Sequence, residues 1–268
     1  MSMADGRPAY AVLRSMTRAR AIVWTRVAWI AGVIGLIELL CRLGAIKPMT
    51  MIAPGQMAME LAQLIAEGEL TEPAAHTFAA VASAFVLSVA AGGALGAVVH
   101  ALPRVRRALD PLLASWYAVP FFVFYPLLVA LFGLNVLPLI AIGVVFAAPA
   151  MMLSTLSGLD RVPQVMRKVA RVHRLSRLQE ARLITMPSAA PHLFTGLKLA
   201  FAYSFIGIIA GEFILSSGGL GYGIAYAYES FETPKMYALM LFVLLIAMGV
   251  NGALHVWDRR LARRRGLA

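Results

Sequence analysis

Chemistry in this chain would have to come from four lysines, five histidines, one cysteine and thirteen carboxylates, and their spacing excludes most of it. None of Lys47, Lys168, Lys198 and Lys235 follows the glycine pattern that wraps a nucleotide's phosphates, so no ATPase site is expected. His76, His100, His173, His192 and His255 lack the paired spacing that brings two ring nitrogens to one metal, and Cys41 alone makes neither a disulfide nor a cysteine cluster. No metal or cofactor is expected. There is no Gly-x-Ser-x-Gly elbow and no paired nucleophile and base inside adjacent apolar runs. What remains are polar side chains set in apolar sequence, candidates to line a path: Tyr125, Tyr203, Ser204 and Glu212. Glu212 lies about four residues from one end of its run, about 6 Å deep at 1.5 Å per residue and within reach of water. A solvated or interhelical structural role weighs more for it than solute contact. Hydroxyls such as Ser204 also bond simply to neighbouring helices.

The elements that position these groups are long and apolar. The 268 residues are 60% hydrophobic, with mean hydropathy +0.78, and several runs exceed the roughly 18 apolar residues that cross a bilayer. Six spans are expected, near 24–44, 77–101, 112–132, 136–158, 193–216 and 236–257, the first interrupted by Glu38 and Arg42. Buried backbone must be hydrogen-bonded within each segment, and the runs are too long for barrel strands, so the protein is read as all-α and integral to a membrane. Ser88, Gly92, Gly93 and Gly96 form a small-residue face suited to close helix packing. Trp116 and Tyr117 suit an interfacial aromatic belt, and Lys198 suits snorkelling. The segment from Ala53 to Glu69, with Met57, Leu61, Leu64 and Ile65 at helical intervals, is expected to lie on the outer membrane surface.

The net charge of +11 orients the chain. Arginines cluster before the first span (Arg7 to Arg26), between the second and third (Arg104, Arg106, Arg107), between the fourth and fifth (Arg161 to Arg182) and after the last (Arg259 to Arg265). With six alternating spans all four clusters share one side, which the positive-inside bias makes cytoplasmic, with both termini. The other side carries mainly Lys47 and Lys235 beside Glu60, Glu67, Glu69, Glu72, Glu229 and Glu232. The charge therefore sets topology and attracts anionic headgroups; a nucleic-acid partner is not expected. The expected division is a basic cytoplasmic segment 1–26, a transmembrane domain 27–258 and a basic tail 259–268.

One basic loop, about 159–192, carries a helical pattern. Val165, Val169, Val172, Leu175 and Leu178 recur every three or four residues among Arg167, Lys168, Arg171, Arg174 and Arg177. Such a helix docks equally well on anionic lipid or on a protein groove. Pro187 and Pro191 limit it and bend the chain back toward the membrane near His192.

After about residue 50 the chain resembles the inner-membrane permeases of binding-protein-dependent ABC importers, particularly the sulfonate, taurine and nitrate type. The loop ends Ile184-Thr185-Met186-Pro187, then Ser188-Ala189-Ala190-Pro191 and Gly196, similar to the close of that family's cytoplasmic EAA motif. Leu109-Asp110-Pro111, Val119-Pro120, Tyr125-Pro126-Leu127, Phe132-Gly133, and Glu212 before Gly218-Gly219-Leu220-Gly221-Tyr222-Gly223 are further echoes, with Gly219 and Gly221 in the outer turn. The motif's opening departs: Lys168-Val169-Ala170 stands for Glu-Ala-Ala, and Arg174 for the glycine between two short coupling helices. An arginine adopts a positive-φ turn less cheaply than glycine.

The resemblance implies a type I, MetI-like permease fold in the bacterial inner membrane, forming the path for a small polar solute (a sulfonate, nitrate or similar anion, or a vitamin precursor). It implies separate ABC ATPase subunits carrying ATP and Mg, an extracytoplasmic substrate-binding protein, and a second permease copy or paralogue. Coupling would run through Val165, Val169, Ala170, Val172, Arg174, Leu175, Ile184 and Pro187. A secondary transporter is the alternative, needing ion-coupling residues near the bilayer midplane and inverted repeats. A non-transporting membrane scaffold is a third.

Overall fold

A run of apolar residues in a bilayer has to close its own backbone hydrogen bonds, and every regular element among the described residues is accordingly helical. The structure, a computed structural model, describes the backbone of residues 9–264 apart from Pro48 and Ser216, and side chains over 24–258 apart from those two and Leu215. The arginine side chains before position 24 and after 258, and the outer bounds of the two basic terminal segments, lie outside it. The helices are α1 (Ala9–Arg42), α2 (Pro54–Ala66), α3 (Thr71–Ala101), α4 (Pro103–Ser115), α5 (Tyr125–Phe132), α6 (Leu137–Asp160), α7 (Gln164–Val172), α8 (Arg177–Glu180), α9 (Met186–Leu215), α10 (Leu220–Glu229) and α11 (Thr233–Arg264).

Five of them are long and apolar enough to span alone; the sixth crossing is made by two pieces, Pro103–Ala118 and Phe121–Phe132, bent by 88°. The straight span expected over 112–132 is thus corrected. Pro120 has no amide to donate and holds Val119 extended (φ −80°, ψ 123°), which ends one helix before the next begins. The two pieces still make one crossing. Leu113 of α4 packs with Val99, Met152 and Leu156 near the basic end of the bundle, while Tyr125 at the start of α5 joins Leu139 and Ile142 toward the other.

The centre is a layer of α3, α6 and α9 in mutual contact. Lipid competes for apolar side chains, so close approach and dispersion hold this trio rather than escape from water. The expected small-residue face does this work at Ser88, Gly92 and Gly96, all buried. A methyl added at Gly92 would meet the Ala148 carbonyl, and one at Gly96 would lie 2.7 Å from Thr155 Cβ. Gly93 is only half-buried beside them.

Around this core α1 and α11 turn apolar side chains outward, Trp24, Trp29, Leu36, Leu244 and Met248 among them, a surface made for hydrocarbon. The charges that interrupt the first span are used: Glu38 pairs with Arg42 (2.7 Å) and accepts the Gly55 amide (2.8 Å), capping the N-terminus of α2. That helix does not simply lie on the membrane. Its Leu61 and Leu64 are buried against Leu220, Ile224 and Leu239, leaving Ile65 exposed. Lys198 does more than snorkel, since its ammonium meets Asp258 of α11 at 2.7 Å.

Pro187 and Pro191 do not break the chain. α8 runs into α9 through a π-turn, Ala181–Thr185, in which the Met186 amide reaches the Ala181 carbonyl five residues back. The widened turn absorbs the ring of Pro187.

Candidate functional site

Three places gather polar and exposed groups, and the basic loop is the first. α7 ends in a six-residue return: the Leu175 amide bonds to the Ala170 carbonyl (2.9 Å) and the Arg174 amide to the Arg171 carbonyl (3.1 Å), with Arg174 left-handed at φ 48°. The residue standing where the resemblance expects glycine thus makes the turn that glycine favours. Ser176 opens α8, its hydroxyl accepting the Gln179 amide (3.3 Å) while Gln179 Oε1 accepts the Ser176 amide (2.8 Å). The fold inward of Leu175 completes a small cluster with Val162, Ala170 and Ile184, which fixes both short helices to the root of α9.

The expected apolar face therefore divides. Ala170 and Ile184 are buried and Leu175 is half-buried, whereas Val165 (68%), Val169 (41%) and Val172 (80%) stand exposed at i, i+4 and i+7 on α7. Leu178 belongs to the next helix, and Pro187 and Arg174 are exposed. Because a non-glycine residue in the left-handed region costs about 1–2 kcal/mol, Arg174→Gly is expected to raise stability by about 1 kcal/mol after glycine's larger unfolded-state entropy is subtracted. A higher melting temperature in detergent checks this; a lower one would show that the guanidinium holds the turn.

The second place lies at the far end of the bundle. Glu212 of α9 is fully enclosed, against the expectation that its shallow depth gives it water. Its depth along α9 is shallow, but the following turn folds over the carboxylate. Thr77 Oγ1 lies 2.8 Å and 3.0 Å from the two carboxylate oxygens, donates to one of them and accepts the Leu220 amide (2.8 Å). The Gly221 amide donates to Glu212 Oε2 (3.0 Å), and His76 Nδ1 lies 3.4 Å from Oε1. Thr77 and Glu212 thus satisfy the first free amides of α10. Gly219 is required just before them: its φ is +100°, and an added methyl would strike the carboxylate.

The third place is a groove of about 250 Å³ along α6 and α9, lined among others by Ser154, Ser157, His192, Thr195 and Tyr203, with Tyr117 of the broken span at its edge. Tyr117 stacks on Tyr203, centroids 4.9 Å apart and planes at 21°. Pro149 explains how the broken span is held there. It donates no amide to the Val145 carbonyl one turn earlier, and Trp116 Nε1 donates to that oxygen instead (3.0 Å), with the Tyr117 hydroxyl donating to the Phe146 carbonyl (3.4 Å). Both aromatics are therefore anchored to α6 rather than forming only an interfacial belt.

The four candidate path residues are not brought together. Tyr203 lines the groove, Tyr125 and Ser204 are buried among helices, and Glu212 belongs to the far turn. Ser154, Ser157, His192 and Thr195 were missed, although 192, 195, 199 and 203 follow one another at three- and four-residue steps, the signal that would have found the stripe. Among the described residues no group of three or more His, Cys, Asp or Glu side chains could hold a metal.

Residues 56–266 match the sequence profile of a family described as binding-protein-dependent transport system inner membrane component. Over 171 residues the chain is 30% identical to the nitrate import permease protein of Leptolyngbya laminosa, covering 64% of this chain and 61% of the relative. It is 24% identical over 249 residues to the putative aliphatic sulfonates transport permease protein of Bacillus subtilis (strain 168), covering 90% and 89%. It is 30% identical over 179 residues to the taurine transport system permease protein of Escherichia coli (strain K12), covering 66% and 65%. Among solved structures, an inward-facing form of the MetNI methionine ABC transporter superposes with TM-score 0.54 at 20% identity, over 69% of this chain and 91% of that one.

Proposed function

Because the chain belongs to the family of binding-protein-dependent transport system inner membrane components, we propose that it is the permease of an ABC importer, carrying a small polar solute inward and driven by a separate ATPase. The observation that carries the coupling half of this reading is the exposed strip Val165, Val169 and Val172, held by a loop whose own core is closed. An apolar strip on a rigid, basic platform is a knob for a partner's groove. Ala170, Leu175 and Ile184 serve coupling by fixing that platform, and Arg174 sets the angle between its two helices. Closure of two ATPases would then shift two permease copies, or one copy and a paralogue, between inward- and outward-facing arrangements. The names of the relatives favour a small anion such as nitrate or a sulfonate, delivered by an extracytoplasmic binding protein.

The purified chain is expected to hydrolyse no ATP, with activity appearing only when an ABC ATPase is added and rising with the binding protein and its solute. Robust hydrolysis by the chain alone would overturn the proposal. The basic face is proposed to be cytoplasmic. In a Cys41→Ala background, Val105→Cys should label only from the cytoplasm and Glu67→Cys only from outside; labelling of both from one side would refute six crossings.

A further inference from the structure

On the lipid-facing side of the bundle, α11 does not follow its neighbours along its whole length. Its first half is packed: Ala238 and Leu239 are buried with α2 and α10, and Val243, Ile246 and Ala247 lean on the central core. Its second half has little contact with α3, and Met248, Val256 and Trp257 stand exposed on it. The wedge left between α3, α9 and α11 is a groove of about 440 Å³. Two contacts tie the far end of α11 back to α9: Phe194 meets Trp257 edge-on, with centroids 5.9 Å apart, and the Lys198 ammonium meets Asp258 Oδ2 at 2.7 Å.

The groove is apolar along its length and charged at one end. Phe78, Phe85, Phe201 and Trp257 help to wall it, and Lys198 and Asp258 close its basic-side end. Phe85 braces Phe201 edge to face (5.9 Å) and Phe201 stacks on Phe205 (6.2 Å), so the rings are held back from the space. In hydrocarbon such a space fills, because bare walls forfeit their dispersion contacts, and water lacks the two to four polar partners it needs along an apolar wall. Phe78 marks the upper end, since its neighbour Thr77 bonds to Glu212. From Lys198 to Glu212, α9 rises 14 positions, about 21 Å at 1.5 Å per residue. One leaflet of hydrocarbon is roughly 15 Å deep, half of the core. The groove therefore accommodates the full length of one lipid tail from the basic-side leaflet.

The ion pair lies where the headgroup of that lipid would be. The apolar run of α11 ends at Trp257, a residue type of the membrane interface, and Asp258 follows it. Both charged side chains are partly exposed (28% and 36%). Lys198 has two further N–H donors and Asp258 a second carboxylate oxygen.

We propose that this groove binds one phosphatidylethanolamine molecule, its tail along the aromatic wall, its phosphate on Lys198 and its ammonium on Asp258. A headgroup carrying both charges meets a donor and an acceptor of the opposite signs. Phosphatidylglycerol brings no cation to Asp258, and the methylated ammonium of phosphatidylcholine has no N–H to donate. The arginine clusters act on headgroups by charge alone, whereas this pair selects headgroup chemistry. The inference does not rest on the permease reading.

Native mass spectrometry of the full-length chain in detergent tests it, with the three lipids carrying identical tails and titrated separately. One phosphatidylethanolamine per chain should bind about tenfold more tightly than either other lipid, the size of one hydrogen bond to a charged group. Lys198→Gln and Asp258→Asn should each remove that preference. Ala82→Phe places a ring in the groove and should weaken binding about tenfold with the lipid-free melting temperature unchanged; where it unfolds the bundle, Val250→Phe fills the same space from α11. Equal binding of the three lipids, or a preference for phosphatidylglycerol, overturns the paired headgroup. Phosphatidylethanolamine binding that survives a folded filling variant overturns the groove. Efficient disulfide cross-linking of two copies through Ala82→Cys in native membranes, in a Cys41→Ala background, also overturns it, since a second chain then covers the site.

Discussion

Replacing Glu212 with alanine is expected to release the outer turn and cost several kcal/mol of stability. The side chain is enclosed, and its removal takes the acceptor from both the Thr77 hydroxyl proton and the Gly221 amide in one step. Each buried polar group left without a partner costs about 1–3 kcal/mol, and neither can turn to water without opening the turn. Glu212→Gln keeps an acceptor for the Gly221 amide and for Thr77, so its loss should be about 1 kcal/mol. Gly219→Ala should resemble the alanine variant, because its methyl meets the same carboxylate from a backbone conformation that favours glycine. Melting temperature and protease sensitivity around residues 217–219 provide the readout. A Glu212→Ala protein with normal melting and failed import would place the carboxylate in the path instead of under the turn.

Val169→Asp together with Val172→Asp should abolish import while leaving the chain inserted and folded. Both side chains are exposed, so two carboxylates there cost the isolated protein little. In a partner's apolar groove an unpaired charge costs about 3–5 kcal/mol. A binding equilibrium so shifted falls by more than two orders of magnitude, and solute-stimulated ATP hydrolysis should vanish with transport. Ala170→Asp is the contrasting variant: that position is 1% exposed inside the loop's own cluster, so it should unfold the platform itself. Undiminished co-purification of the ATPase with the double variant, together with normal import, would remove α7 as the contact.

Periodicity made the crossings legible, because a long apolar run in lipid has one solution; arginine placement adds only the proposed orientation. The break at Val119-Pro120 was visible as a proline but not as a bend, since Pro187 and Pro191 are also prolines and their helix continues through a π-turn. What separates the cases is tertiary: Trp116 and Tyr117 find carbonyls on α6 to hold the bent piece. Periodicity alone showed the loop as one two-faced helix, and only the resemblance implied two, because Leu175 keeps the spacing of Val165 and Val172 while the left-handed Arg174 turns it inward. Glu212 illustrates the same limit: depth along a helix is countable from sequence, whereas the folding of the next turn over its carboxylate, and the Thr77 hydroxyl that completes the enclosure from far away in the chain, are not. Tyr203 stands out in the sequence by its polarity in an apolar run, whereas Ser154 and Ser157, which line the same groove from α6, do not, because serines in such runs are common.

The bond between the Trp116 indole and the Val145 carbonyl ties wetting to motion. Pro149 makes that oxygen an acceptor that its own helix cannot fill, and the indole fills it at 3.0 Å. Any swing that lifts the broken span from α6 strips the oxygen bare at mid-membrane, at a cost of about 1–3 kcal/mol unless another donor arrives. Water is the donor at hand. The span therefore moves most easily when the space beside it is already hydrated, and a dry interior latches it shut.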